Sequence, residues 1–120
     1  MSSITQDLIG IAHGRLVEQI PALAKLKLVA RLELRGRGDV QVFRVSSPGP
    51  EISKQEPEDA RIEVSLPRAD FNDLADADLS HWRTAYEHGV VKIGGEPAVV
   101  RLLGGVIAKH EARGNLKRVR

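Results

Sequence analysis

The sequence has no cysteine, and its aromatic residues are two phenylalanines, one tryptophan and one tyrosine among 120 residues. The lack of cysteine excludes a disulfide framework, a thiolate nucleophile and a thiolate metal site. Because aromatic residues are so few, any core must consist mainly of Leu, Ile, Val and Ala. An aliphatic core is common, and aliphatic walls also suit a lining for acyl chains, so composition leaves both interpretations open.

Long hydrophobic runs and a large net charge are also missing. The apolar stretches are interrupted by Arg101 or by polar residues, so no segment is predicted to span a bilayer. The first residues lack a basic region followed by a continuous apolar one, so no secretory signal is predicted. A net charge of +2 does not indicate a nucleic-acid partner. The length of 120 residues is that of a single domain, which we expect to be cytoplasmic.

Signatures of catalysis and of metal binding are absent from the sequence. It has no Gly-x-Ser-x-Gly elbow, no phosphate-binding loop and no His-Glu-x-x-His motif. His81 and His88 lack the closer spacing and the extra ligands of a zinc site. The acidic residues from Asp70 to Asp78 lack the central glycine and final glutamate of a calcium loop, and favour helix capping instead. The sequence therefore predicts no enzyme, no cofactor and no metal, and surface positions for the histidines.

Apolar periodicity predicts the elements of the first half. A helix is expected from about Ile4 to Ile20, ended by Pro21. Its predicted apolar stripe is Ile4, Leu8, Ile11, Ala12, Leu16 and Ile20. Strict alternation predicts a strand over Lys25–Arg35, and glycines at 36 and 38 predict a hairpin turn into a second strand over Val40–Val45. The polar loop that follows is expected to hold a short strand around Glu51–Lys54.

The second half combines strands and helices in a more specific pattern. Strand alternation over Arg61–Leu66 leads into a helix start written Asp70-Phe71-x-x-Leu74. Ser80 is the predicted N-cap of the next helix, and Gly89 its predicted left-handed end. A strand is expected over Val90–Ile93, within the run Gly89-x-x-Lys92-Ile93-x-Gly95. Pro97 then opens a Leu/Val-rich closing helix.

These motifs, in this order, resemble the C-terminal half of the sterol carrier protein type 2 family of small lipid-binding domains. The resemblance implies an α+β fold with a mixed, mainly antiparallel sheet of about five strands and helices packed on one face. It also implies a non-enzymatic intracellular carrier that holds a fatty acid, acyl-CoA, sterol-like or isoprenoid ligand in an apolar tunnel. The residues that the resemblance and the periodicity together place on the tunnel wall are Phe71, Leu74, Trp82, Tyr86, Val99, Leu102, Leu103 and Val106. Phe43, Ile62 and Val64 are further candidates from the sheet.

Two alternatives to the carrier function stay open at this point. The first is a scaffold or homodimerisation module with a collapsed cavity. The second is an accessory factor in isoprenoid quinone metabolism. The sequence is divided into a single lipid-binding domain over residues 1–112 and a basic, frayed tail over residues 113–120. Clustered cations in that tail would suit peripheral contact with an anionic membrane.

Overall fold

The computed structural model describes the backbone of residues 4–118 and the side chains as far as residue 112. A short 3-10 turn, Pro21–Lys25, follows the first helix. In chain order, the helices and strands are α1 (Ile4–Gln19), β1 (Leu28–Arg35), β2 (Val40–Ser47), β3 (Glu51–Ser53), β4 (Ile62–Pro67), α2 (Arg68–Leu74), α3 (Leu79–Glu87), β5 (Lys92–Gly95) and α4 (Pro97–Arg118). The basic tail predicted from residue 113 lies outside the described side chains, although the helical backbone of α4 continues to Arg118.

The five strands form one mixed sheet in the order β3-β2-β1-β4-β5. The central strand β1 pairs antiparallel with β2 and parallel with β4, and the two outer pairs are antiparallel. Because β1 and β4 are parallel, a long connection must join them, and it consists of β2, the short edge strand β3 and the loop that follows β3. The predicted α+β class and mixed five-stranded sheet are confirmed.

The alternation seen in the sequence separates an aliphatic inner face from a charged outer face. Leu32 stands opposite Phe43 on one side and Val64 on the other, so these three side chains share the inner face. On the outer face the Nε of Arg31 donates to Glu56 over 2.8 Å, and a second nitrogen of Arg31 donates to Glu33 over 3.1 Å. The Ser65 hydroxyl and Arg31 hold the pKa of Glu33 below its ordinary value by hydrogen bonding to the carboxylate. Helices therefore cover only the inner face.

A closely packed core occupies one end of the inner face. Leu34, Phe43 and Leu66 are almost completely buried there, under Phe71 of α2 and Ile9 of α1. The predicted stripe on α1 is partly wrong, because Ile4 and Ile11 are exposed while Ile9 is buried. Apolar residues occur all around α1, so helical periodicity alone does not identify the packed face.

Three predicted boundaries are wrong for identifiable reasons. Strand β1 begins at Leu28 instead of Lys25, because the 3-10 turn extends to Lys25 and the N–H of Leu26 still donates to the Leu23 carbonyl. Strand β5 begins at Lys92, because the backbone N–H of Val90 is still bonded to the Ala85 carbonyl at the end of α3. The N-cap of α3 is Asp78 and not Ser80, and the first N–H of this helix, at Leu79, donates to the Gln19 side chain over 2.6 Å. A side chain of α1 thus supplies the cap that local sequence was expected to provide.

The turn between β5 and α4 depends on a glycine. Gly95 has a φ of +115°, and a Cβ at this position would lie 2.6 Å from the Arg61 carbonyl oxygen. Only glycine tolerates both conditions. The close approach of the two backbones brings the start of α4, at the predicted Pro97, directly beside β4. Gly89 also has the predicted positive φ, of 78°.

Within residues 4–118, none of the helices combines the length and the apolar character needed to cross a lipid bilayer.

Candidate functional site

The end of the inner face opposite the packed core is hollow. A cavity of about 190 Å³, hereafter the main cavity, lies between this end of the sheet, α1, the 3-10 turn and α4. Its lining consists of His13, Leu16, Val17, Leu23, Leu26, Leu28, Ala30, Val45, Ser47, Ile62, Val64 and Leu103. Ten of these twelve residues are aliphatic, so the main cavity is suited to hydrocarbon.

Sheet register and helical spacing explain why these residues meet. Ala30 pairs with Val45 on one side and Ile62 on the other, which places three inner-face side chains next to each other as the cavity floor. On α1, Leu16 and Val17 lie one to two turns beyond Ile9 and Ala12 on the same face. The same helix face therefore closes the core with its first half and covers the cavity with its second half.

A smaller cavity of about 160 Å³, hereafter the adjoining cavity, shares Leu26 and Leu28 with the main cavity. Its remaining lining residues are Lys27, Arg61, Ala98, Val99 and Leu102. Arg61 is already paired with Glu96 at 3.0 Å, so Lys27 carries the unneutralised positive charge of this lining. The adjoining cavity is thus apolar with a cationic edge.

A single polar contact interrupts the aliphatic surface of the main cavity. Nε2 of His13 lies 3.1 Å from Oγ of Ser47, which joins α1 to the end of β2. Burial lowers the pKa of His13 below its ordinary value of 6.5, so the imidazole is uncharged near neutral pH. A surface position was predicted for this histidine, whereas its side chain is half-buried in the lining of the main cavity. The sequence contains a signal for this position, because His13 is four residues from both Ile9 and Val17 and therefore shares their face of α1.

The predicted tunnel residues divide into three groups in the structure. Leu103 lines the main cavity, and Val99 and Leu102 line the adjoining one. Phe71 and Leu74 lie in the packed core, where Trp82 meets the Phe71 ring edge-on at a centroid distance of 6.3 Å.

Tyr86 is 48% exposed, and Val106 is half-buried without belonging to either lining. From the sheet, Ile62 and Val64 line the main cavity, whereas Phe43 belongs to the core. The structure therefore places Val99, Leu102 and Leu103 of α4 and the two β4 residues at the cavities, but neither Val106 nor the aromatic residues. A role in lipid binding remains a prediction for all of them.

Helix α4 is attached to the body of the domain by ion pairs on either side of Leu103. Arg61 of the β4 region pairs with Glu96 just before the helix, and Arg83 of α3 pairs with Glu111, about two turns after Leu103. Gly104 and Gly105 follow Leu103 directly, and a Cβ on either would meet open space. The segment over the cavity is thus the part of α4 with the weakest intrinsic helix propensity.

The described residues contain no cluster of three or more His, Asp or Glu side chains that is arranged to hold a metal ion. His81 and His88 are both exposed on α3. Asp76 and Asp78 face Arg15 of α1, at 3.3 and 3.2 Å, so this part of the acidic cluster fixes α1 against the start of α3.

Comparison with solved structures identifies the fold. The solution structure of palmitated SCP2L2 from Aedes aegypti superposes with a TM-score of 0.56 at 14% identity, covering 82% of this chain and 93% of that one. The crystal structure of sterol carrier protein 2 like 2 from the same mosquito gives a TM-score of 0.53 at 13% identity, covering 85% and 98%. A structure described as the UbiJ-SCP2 ubiquinone synthesis protein gives 0.54 at 18% identity, covering 89% and 95%.

No protein-family model matches the sequence, and no curated protein is significantly similar to it. The relationship is therefore one of three-dimensional structure. The predicted resemblance is confirmed at that level: the chain has the fold of the sterol carrier protein type 2 domains.

Proposed function

We propose that this protein is a non-enzymatic, intracellular lipid carrier that holds a fatty acyl, sterol-like or isoprenoid chain in the main cavity. The observation that carries the proposal is the aliphatic lining, in which side chains from β1, β2, β4, α1 and α4 surround one space. The palmitated mosquito protein of the same fold supports a hydrocarbon ligand. The cytoplasmic location stays a prediction.

The size of the main cavity constrains how a lipid enters it. A cavity of about 150 Å³ holds a benzene molecule, and typical ligand pockets begin near 300 Å³. At about 190 Å³, the main cavity accommodates a short hydrocarbon segment. A longer chain must extend into the adjoining cavity or displace Leu103, so the proposal includes an outward movement of α4 as a lid.

Hydrocarbon burial alone is sufficient to support such binding. Each buried methylene contributes about 0.8 kcal/mol, so a sixteen-carbon chain gains on the order of 12 kcal/mol. Association and ordering offset roughly 4–15 kcal/mol of this gain. Affinities near the micromolar range therefore need no buried ion pair.

The test compares two positions of α4. Leu103→Ser places a hydroxyl in the wall of the main cavity, whereas Val106→Ser changes a half-buried residue outside both linings. We expect the first variant to weaken the binding of a fluorescent fatty acid about tenfold and the second to leave it within about twofold, since a lost apolar contact costs about 1–3 kcal/mol. If Leu103→Ser and the unchanged protein bound the fatty acid with equal affinity, Leu103 would not be part of the lipid-binding wall.

A second candidate is an accessory role in isoprenoid quinone metabolism, which the similarity to the UbiJ-SCP2 structure favours. Both candidates need the same apolar space and differ in the ligand. Native mass spectrometry of the protein purified from its own host separates them, because the mass of the bound lipid distinguishes an acyl chain from a prenylated ring. A scaffold without a ligand would show the mass of the protein alone, and the open main cavity argues against it.

A further inference from the structure

The main cavity contains one place where a ligand can form a hydrogen bond with side chains. His13 and Ser47 are its only lining residues with polar side chains, and they contact each other across 3.1 Å. They come from α1 and β2, 34 positions apart, so the fold itself brings them to one point on the wall. Both are half-buried, which leaves them partly accessible from the cavity.

The pair has unused hydrogen-bonding capacity. A neutral imidazole has one N–H donor and one acceptor, and a serine hydroxyl both donates and accepts. If Nε2–H donates to Ser47, the serine O–H is free to donate to a ligand oxygen. If Ser47 donates to Nε2 instead, the serine oxygen accepts from a ligand hydroxyl. Either arrangement matches a hydroxyl, and the first also matches a carbonyl.

On the basis of the proposed function, we infer that the His13–Ser47 pair is a headgroup subsite that selects lipids with an uncharged hydroxyl or carbonyl over the carboxylate of the same chain length. An alcohol or carbonyl oxygen placed there replaces the water that a half-buried polar pair otherwise needs. An ionised carboxylate placed there would lose its hydration and gain no opposite charge.

The surrounding residues support this selection. Apart from His13, the lining of the main cavity contains no titratable side chain, and burial lowers the pKa of His13 and so favours its neutral form. Positively charged side chains line the adjoining cavity instead, where they are Lys27 and Arg61, and Arg61 already faces Glu96. The carboxylate of a fatty acid is therefore expected at that cationic edge, with the methyl end of the chain toward the polar pair.

The experiment uses three probes of equal chain length: dodecane, dodecanol and dodecanoate. The measurement is the displacement by each probe of the uncharged fluorophore N-phenylnaphthylamine from the full chain at neutral pH. Ser47→Ala removes one hydroxyl, and Ser46→Ala is the matched control, because Ser46 lies on the same strand but faces the opposite side of the sheet. Thermal unfolding of each variant verifies that the fold is retained.

We expect unchanged protein to bind dodecanol about tenfold more tightly than dodecanoate, the effect of roughly one hydrogen bond together with the lost hydration of the anion. Ser47→Ala should weaken dodecanol binding about five- to tenfold and leave dodecane binding unaffected, whereas Ser46→Ala should leave the binding of both probes unchanged. The subsite proposal would be contradicted if dodecanoate bound more tightly than dodecanol, or if Ser47→Ala weakened the binding of all three probes equally. Neither result would contradict the carrier function. If none of the three displaces the fluorophore, the carrier function itself fails.

Discussion

Ala30 has the smallest side chain in the lining of the main cavity, and it lies at the centre of the floor between Val45 and Ile62. A larger residue here would extend into the space that a lipid needs. A larger residue at this position should therefore change stability and lipid affinity in opposite directions. Filling the cavity raises the free energy of unfolding and removes the space that the ligand needs.

We predict that Ala30→Leu raises the free energy of unfolding by about 1–2 kcal/mol, since its added carbons become buried, and weakens lipid binding at least tenfold. Urea unfolding and fluorescent lipid titration measure the two effects. Val29→Leu is the control, because the neighbouring residue of β1 faces away from the cavity. Wild-type lipid affinity in Ala30→Leu would mean that ligands occupy another space.

His13 also makes stability depend on pH. Burial lowers its pKa in the folded protein below the ordinary 6.5, so the unfolded chain takes up a proton at a higher pH than the folded one. Stability is then fully present above about 6.5 and is lost as pH falls from there through the lowered folded pKa. We predict that the decline in this window is shallower in His13→Gln, as measured by urea unfolding at a series of pH values. A decline of equal steepness in both proteins would show that other groups cause it.

At the scale of elements, α4 combines two points of attachment with a weak segment between them. Ion pairs hold the helix near Glu96 and near Glu111, while Gly104 and Gly105 interrupt it beside Leu103. Glycine in a helix costs about 0.5–1 kcal/mol relative to alanine. Local opening of this segment therefore requires less free energy than opening of an all-alanine helix, as a lid would need.

We predict that the double variant Gly104→Ala, Gly105→Ala stabilises the protein by about 1–2 kcal/mol and slows lipid dissociation several-fold, because a stiffer helix opens less often. Stopped-flow release of a fluorescent lipid measures the rate. Gly14→Ala is the control, since a Cβ on this helical glycine of α1 would also meet open space. If the control slows release as much as the double variant, general stability and not α4 governs exchange.

The element boundaries show how far local patterns extend. The alternation from Leu28 to Arg35 and the glycine turn after it are local properties, and both were predictable. The cap of α3 was not, because the acceptor for the Leu79 N–H comes from Gln19, 60 residues away. A hydrogen bond between distant elements leaves no trace in the spacing of nearby residues.

For the whole molecule, the carrier and scaffold alternatives differ in a thermodynamic property. A ligand that binds only the folded state stabilises it in proportion to the logarithm of its concentration. A scaffold with a filled interior would show no such dependence.

We predict that dodecanol at about a hundred times its Kd adds about 2.7 kcal/mol to the unfolding free energy and raises Tm by roughly 10 °C. Differential scanning calorimetry at several dodecanol concentrations measures the shift. Ala30→Leu provides the negative control, because its filled cavity should abolish most of the response. A Tm that does not change with dodecanol concentration would favour the scaffold.

Period-two and helical spacing were enough to predict the inner and outer faces of β1 and β4 and the apolar stripe of α4 that contains Leu103, because such spacing assigns each side chain to one face of its own element. The fold class came from the resemblance of the motifs to a known family. The cavity itself depended on tertiary packing. It arises where Ala30, Leu16 and Leu103, from three separate elements, fail to fill the space between them. Whether such side chains meet or leave a gap is determined by the distance and angle between elements, so Phe71 packs solidly and His13 faces a cavity.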